Sequence, residues 1–243
     1  TSFQEIYDLS ETLAEYTLTK TIFILSSNKQ GGWQFNNMVW NFGDVFQKQG
    51  ADGKWTANLN SAASIKALEW IRDLKRDEYL LESTANVYDD WPSKIGEQVA
   101  MAFVGSDVLQ NAYLKAEVDM NDLAFVPMPT GDGTHHYSLY GGIPYVFNSE
   151  CSDKKVEGIL KFFEFIGRSP DTSDICKAAI EKGYEVAKNK NQPILPKIMP
   201  WKDPEYVSMA KALEDKYVTV DMKDFDPFFN TIQEYKKTEE PNN

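Results

Sequence analysis

The sequence predicts an α/β fold, and three observations carry that expectation. Amphipathic stretches of helical period alternate with short apolar runs of strand length, and residues 99–126 read in the order strand, helix, strand, the pattern of a right-handed parallel crossover. The chain has 243 residues, 42% hydrophobic and 26% charged, which is enough apolar surface for a proper core in one large domain or two modest ones.

Each element has its own signal. Ser2 and Glu5 form a capping-box pattern ahead of Ile6, Leu9 and Leu13 at helical spacing, which predicts a helix over 3–16. Residues 21–26 are short, apolar and partly β-branched, as in a buried strand. In 31–42, aromatics mix with carboxamides, and Met38, Phe42, Val45 and Phe46 can share one helical face until the pattern breaks at 50–53. Asn60 can cap a helix whose Ala67, Leu68, Ile71 and Leu74 point inward. The run 99–104, ended by Gly105, reads as a strand, Ser106 can cap the helix that follows through Ala112 and Leu114, and 123–126 reads as a second buried strand before Pro127.

Residues 127–136 are rich in Pro, Gly, Asp and Thr and mark the clearest boundary. Beyond it, 140–147 looks like a turn entering a strand, and Val156, Ile159, Leu160, Phe163 and Ile166 mark a helix. Residues 189–200 read as irregular. Asp203 then supplies an N-cap with Pro204 at the first helical position, and the tail from 238 is polar and unanchored.

Composition removes several classes of function. Lys and Arg number 25 against 37 Asp and Glu, a formal net charge of -12, so the surface as a whole repels phosphate backbones and anionic headgroups. The longest apolar runs fall far short of the roughly 18–20 residues that a membrane span needs. Cys151 and Cys176 are too few for a disulfide framework and lack Cys-x-x-Cys spacing. His135 and His136 are adjacent, so their side chains diverge, and no third ligand stands at metal spacing. The stretch 105–108 is not Gly-x-Ser-x-Gly, and 131–133 lacks the third glycine of a dinucleotide fingerprint. Asp89 and Asp90 could be half of a glycosidase carboxylate pair, although capping of the turn at Pro92 explains them more simply.

What remains points toward a polar, ring-shaped ligand. Gly105, Ser106 and Asp107 follow a strand at the carboxyl end of the expected parallel sheet, where ligands gather. Gly105 permits close approach, Ser106 offers a hydroxyl, and the Asp107 carboxylate disfavours an anion, which suits a neutral, hydroxyl-rich molecule. The alternative is that Ser106 only caps a helix and Asp107 is an exposed first-turn acid. Trp33, Trp40, Trp91, Tyr140 and Tyr145 stand beside carboxamides or glycines outside the periodic faces; aromatic faces stack on sugar C–H faces while Asn, Gln and Asp bond hydroxyls. Trp70, on an apolar helical stripe, reads as packing.

Several segments, in order, resemble the bacterial extracellular solute-binding proteins of ABC importers, the sugar-binding family 1 that includes maltose-binding protein. Thr1-Ser2-Phe3-Gln4-Glu5-Ile6 resembles the family's Thr-Trp-Asp-Glu-Leu helix start, and 33–43 its aromatic segment before a glycine pair. Ile95-Gly96-Glu97-Gln98-Val99-Ala100-Met101-Ala102 with Gly105 is similar to the x-Gly-Lys-x-Ala-Met…Gly stretch, the most specific of the signals. Val126-Pro127-Met128-Pro129 and Gly141-Gly142, followed by the helix over 155–166, complete the pattern.

The resemblance implies the type II periplasmic-binding-protein fold, in which two lobes close on a solute by hinge motion and deliver it to ABC permease subunits without catalysis or cofactor. It implies a monomeric protein of the periplasm or of the extracellular face of a bacterial membrane, lipid-anchored in Gram-positive species. It also implies that this chain is a fragment holding mainly the second lobe: 1–133 as its α/β core, 134–183 as a segment crossing back to the first lobe, and 184–243 as a helical return. By this resemblance the ligand-binding residues are Trp33, Asn36 and Asn37, then Gly105, Ser106 and Asp107, then Tyr140, Gly141 and Gly142, with Phe228 or Phe229 near a late cleft aromatic. The family's aromatic in the 105–107 loop is replaced here by Asp107. The competing expectations are a glycan-active enzyme and a carbohydrate-binding module outside any transporter.

Overall fold

The computed structural model describes residues 1–16, 20–24, 31–81, 87–141, 145–199, 201–232 and 234–238. In chain order its elements are α1 (Phe3–Tyr16), β1 (Lys20–Phe23), α2 (Gly31–Asn41), β2 (Gln47–Gln49), β3 (Trp55–Ala57), α3 (Ala62–Arg76), β4 (Leu80–Leu81), β5 (Val99–Ala102), α4 (Asn111–Ala116), β6 (Tyr137–Leu139), α5 (Asp153–Phe165), α6 (Asp174–Asn189), α7 (Pro204–Glu214), α8 (Asp226–Thr231) and β7 (Lys236–Thr238). The protein is mixed α/β, mainly helical, around a small parallel sheet.

That sheet has the order β4-β1-β5, both pairings parallel, with Ile22 opposite Leu80 and Met101. Alternation along β1 divides the core in two. Ile22 and Ile24 face a cluster with Phe3, Met38, Val39, Ala67, Trp70 and Leu74. Phe23 faces the other way, toward Trp91, Val99, Leu109, Met120 and Phe225. Two further pairs stand apart from this sheet: an antiparallel hairpin of β2 and β3 around 50–53, and parallel β6 and β7.

Where local chemistry is explicit, the helices start where expected. Ser2 Oγ accepts from the Glu5 N–H at 3.1 Å while Glu5 accepts from the Ser2 N–H at 2.6 Å, a complete capping box. Asp203 accepts from the Tyr206 N–H with Pro204 at the first position of α7. On α3 the cap is Ser61, one residue beyond Asn60, because Ser61 Oγ takes the Ser64 N–H. Trp70 packs as expected, edge-on to Phe3, and its indole N–H donates to the Phe3 carbonyl at 2.8 Å. Leu68 and Leu9 lie on the outer faces of their helices, against expectation.

Two strand expectations and one helix cap fail. Residues 123–126 are irregular: the Phe125 N–H donates to the Asp224 carbonyl outside any ladder, so no strand-helix-strand crossover forms there. The neighbour of β5 is instead β1, about 80 residues earlier. The strand expected over 140–147 lies upstream as β6, and 145–148 are irregular; residues 142–144, like 25 and 26 of the first expected strand, fall outside the described residues. Ser106 opens a single 3-10 turn (Ser106–Val108) with no side-chain cap, and the true helix begins only at Asn111. Both cysteines are free thiols, Cys176 buried and donating to the Ser169 carbonyl.

On α5, unlike the other long helices, no residue is buried. Leu160, Phe162 and Phe165 are 48%, 55% and 75% exposed, with Tyr145, Val146 and Phe147 exposed just before it. Its apolar residues span well over half of the helical circumference, a width found on helices covered by protein on more than one side.

Candidate functional site

Helix α2 organises the candidate site. Its inner face is set by Met38, Val39 and Gln34, and it starts at Gly31-Gly32 with Trp33 on the outer flank. Trp33 is 45% exposed, yet its ring edge rests on Gly141: a methyl group on Gly141 would lie 3.3 Å from Cη2 and 3.6 Å from Cζ3. A Cβ there would be tighter on the ring than an ordinary contact, so glycine eases this approach. Tyr140, beside it, is 37% exposed. Gly142 lies outside the described residues.

The two neighbouring asparagines behave differently. Asn37 Oδ1 accepts from the Leu139 N–H at 2.9 Å and so ties α2 to β6. Asn36 is 1% exposed, and neither its Nδ2 nor its Oδ1 has a hydrogen-bond partner. A buried carboxamide with nothing to bond costs free energy, on the order of 1–3 kcal/mol for each unmet group. Asn36 stands three residues after Trp33 and four before Trp40, its neighbours along a helical surface.

The loop after β5 is held to the same helix. Gln34 Nε2 donates to the Phe103 carbonyl at 2.9 Å, which fixes the exit of the strand on α2 two residues ahead of Gly105. The Gly105 N–H donates to the Tyr88 hydroxyl at 2.8 Å. The Asp107 carboxylate folds back so closely over Gly105 that a Cβ there would lie 2.4 Å from Oδ1. Burial pushes the Tyr88 phenol up, the Gly105 N–H bond works the other way, and Asp107 and Asp89 push it up further. Tyr88 therefore stays a neutral phenol that anchors the Gly105 loop. Gln34, Asn41 and Tyr88 are the structural members that the sequence did not announce; the run of carboxamides along one flank of α2 was the available signal for the first two.

Not every expected residue belongs here. Phe228 is 6% exposed and packs at 4.3 Å on Phe125 and edge-on to Phe229, so it is a core residue without a face for a ligand. Trp40 and Trp91 are likewise buried, at 3% and 2%. Tyr145 is exposed, bonds Arg168 and packs on Phe163 of α5. Asp90 accepts from the Val87 N–H at 2.8 Å and Asp89 pairs with Lys115 at 3.2 Å, which gives both acids structural work. His135 Nδ1 meets Asp132 Oδ2 at 2.5 Å, and His136 packs on Tyr235. Burial works to raise the Asp132 carboxyl, but the N–H groups of His135 and Thr134 and the His135 ring outweigh it and hold it well below the usual carboxylate range. No cluster of three His, Cys, Asp or Glu suited to a metal exists among the described residues.

Two open grooves of about 510 and 540 Å³ lie elsewhere, one between Val126, Pro127, His136 and Tyr235, the other between Tyr113, Asp119, Lys188 and Gln192. The Trp33 surface is a wall: an indole face, a glycine turn and carboxamides on one side of a parallel sheet. Such a wall can stack on a ring and bond hydroxyls, and it needs an opposing surface to enclose them. Neither the protein-family models nor the curated proteins compared with this chain match it. The fold and the wall define an α/β protein with a candidate ligand-binding face.

Proposed function

We propose that this chain carries one wall of the cleft of an extracellular solute-binding protein of family 1, with the type II periplasmic-binding fold, whose ligand is a carbohydrate passed unchanged to an ABC permease. The observation that carries the proposal is the half-exposed Trp33 indole resting on Gly141, with the half-buried Asn37 on the same helix. A ring face with adjacent amides suits the alternating C–H and hydroxyl surfaces of a sugar, and the exposed Asp107 disfavours an anionic competitor.

Two features support the two-lobed form of the reading. The wall is open on one side, and the broad apolar surface of α5, in the segment assigned to the crossing, is left largely exposed by the described residues. The first lobe packed on α5 would account for both. Calorimetric titration of the full-length protein with a panel of mono- and oligosaccharides tests the proposal, with saturable heat from at least one sugar as the expected outcome. Silence toward every sugar together with a response to a peptide, a polyamine or a metal overturns the substrate class.

A further inference from the structure

We propose that Asn37 and Asn41 form a register ladder between α2 and β6, and that this ladder places Gly141 under Trp33. It goes beyond the functional reading above, since it concerns how the site is built and holds whatever the ligand is.

The contacts run in step. Asn41 Oδ1 accepts from the Tyr137 N–H at 3.0 Å, and its Nδ2 donates to the Tyr137 carbonyl at 3.0 Å and to the Asn37 carbonyl at 2.8 Å. Asn37 Oδ1 takes the Leu139 N–H at 2.9 Å, and Trp33 meets Gly141. Each step of four residues back along the helix thus matches a step of two residues forward along the strand. Four helical residues rise about 6.0 Å and two strand residues about 6.6 Å, so the two repeats stay in phase over three rungs. The carboxamide of Asn41, fully buried, presents a donor and an acceptor to one residue as a neighbouring strand would.

Strand chemistry explains why the ladder is needed. Backbone groups of Tyr137 and Leu139 point to the α2 side, and alternation turns those of Ser138 to the other side, where β7 pairs in parallel. A two-stranded pair of three residues is marginal by itself and weakly specified in register. A slip of one residue would bring Tyr140, with its bulky ring, to the position that Gly141 occupies below the indole. Asn37 and Asn41 are therefore positioning residues: they touch the strand, and the strand sets the site.

The test uses the full chain without ligand, with two readouts. One is amide hydrogen exchange at 137–139; the other is Trp33 emission, taken as the difference from Trp33→Phe in each background because the chain has 6 Trp. Asn41→Ala is expected to speed exchange at 137 and 139 about tenfold or more and to shift Trp33 emission to the red as the ring leaves Gly141. Asn41→Asp, which keeps the acceptor for the Tyr137 N–H, is expected to fall between. Should Asn41→Ala fail to fold, Asn37→Ala removes a single bond and is expected to speed exchange at Leu139 with the same red shift. A variant that folds, with a lowered unfolding midpoint but unchanged local exchange and unchanged Trp33 emission, reduces these asparagines to ordinary packing and overturns the proposal. Saccharide binding is not among the readouts, so failure of the ladder and failure of the sugar reading are separate results.

Discussion

Gly131→Ala is a sharp steric probe of how the connection between β5 and β6 is seated. A Cβ at 131 would lie 2.1 Å from Phe42 Cδ1, 2.5 Å from Cε1 and 2.6 Å from Cγ. Non-bonded carbons prefer about 3.5–4.0 Å, so something must move by about 1.5 Å. Phe42 has little freedom: it stacks on Phe3 at 4.6 Å and 10°, and Phe3, 2% exposed, is wedged against Trp70. Moving the ring gives up an aromatic pair worth about 0.5–1.5 kcal/mol on top of overpacking of about 1–3 kcal/mol. Lifting the loop instead breaks the 2.7 Å bond from the Gly131 N–H to the Asn41 carbonyl and strains the Thr130 bonds to Thr1 and Phe3. Either route destabilises by about 2–4 kcal/mol, read as a lower urea midpoint at unchanged slope. Gly183→Ala is the control, a mid-helix position on α6 with nothing within 4 Å, expected to stabilise by about 0.5–1 kcal/mol. If Gly131→Ala costs less than about 0.5 kcal/mol, the seating of this loop against Phe42 is wrong.

The remaining predictions address the site and one buried acid. Trp33→Ala is expected to weaken saccharide binding by about 1 kcal/mol or more while the unfolding midpoint stays put, because nearly half of the ring is exposed; unaltered affinity returns Trp33 to packing. Asn36→Leu removes two buried, unpaired polar atoms and is expected to raise stability by about 1 kcal/mol, and a loss of stability would show that Asn36 has a partner after all. Glu214, 4% exposed, accepts from the Lys197 N–H at 2.7 Å and the Tyr184 hydroxyl at 3.2 Å, yet burial raises its carboxyl above the ordinary range. The folded chain then holds a proton that the unfolded chain has released, so this group's contribution is present at low pH and lost as pH rises through the raised value. Glu214→Gln keeps the acceptor oxygen and should flatten that decline and exceed the parent at neutral pH in denaturant titrations; an unchanged pH slope sinks the assignment.

Legibility in the sequence followed the locality of the signal. The capping box at Ser2 and Glu5 and the Asp203-Pro204 start each resolve within four residues, and both elements form where their chemistry says. The run 123–126 has the composition of a strand but no ladder partner, and composition cannot supply one. Helix α6 escaped notice because its inward stripe, Cys176, Ile180 and Tyr184, is interrupted by charged residues, although Ser173 caps it through the Cys176 N–H. Polar β2 and the three-residue, exposed β3 carry no hydrophobic pattern to read. At the site, the residue types of Trp33, Asn37 and Gly141 were visible, but their meeting depends on a contact across more than 100 positions. Phe228 was misplaced for the converse reason: its burial depends on Phe125, a hundred residues away.

The earliest strand of the parallel sheet lies at its centre, and its flanking strands arrive about 60 and 80 residues later. During synthesis, then, β1 must wait, its apolar side chains uncovered, until about 80 further residues have left the ribosome, and only then can the sheet close on both sides. Such distant pairings make slow assembly and early association with other chains the hazard for this protein, and co-translational helpers that cover β1 should raise its yield more than any change to the finished surface.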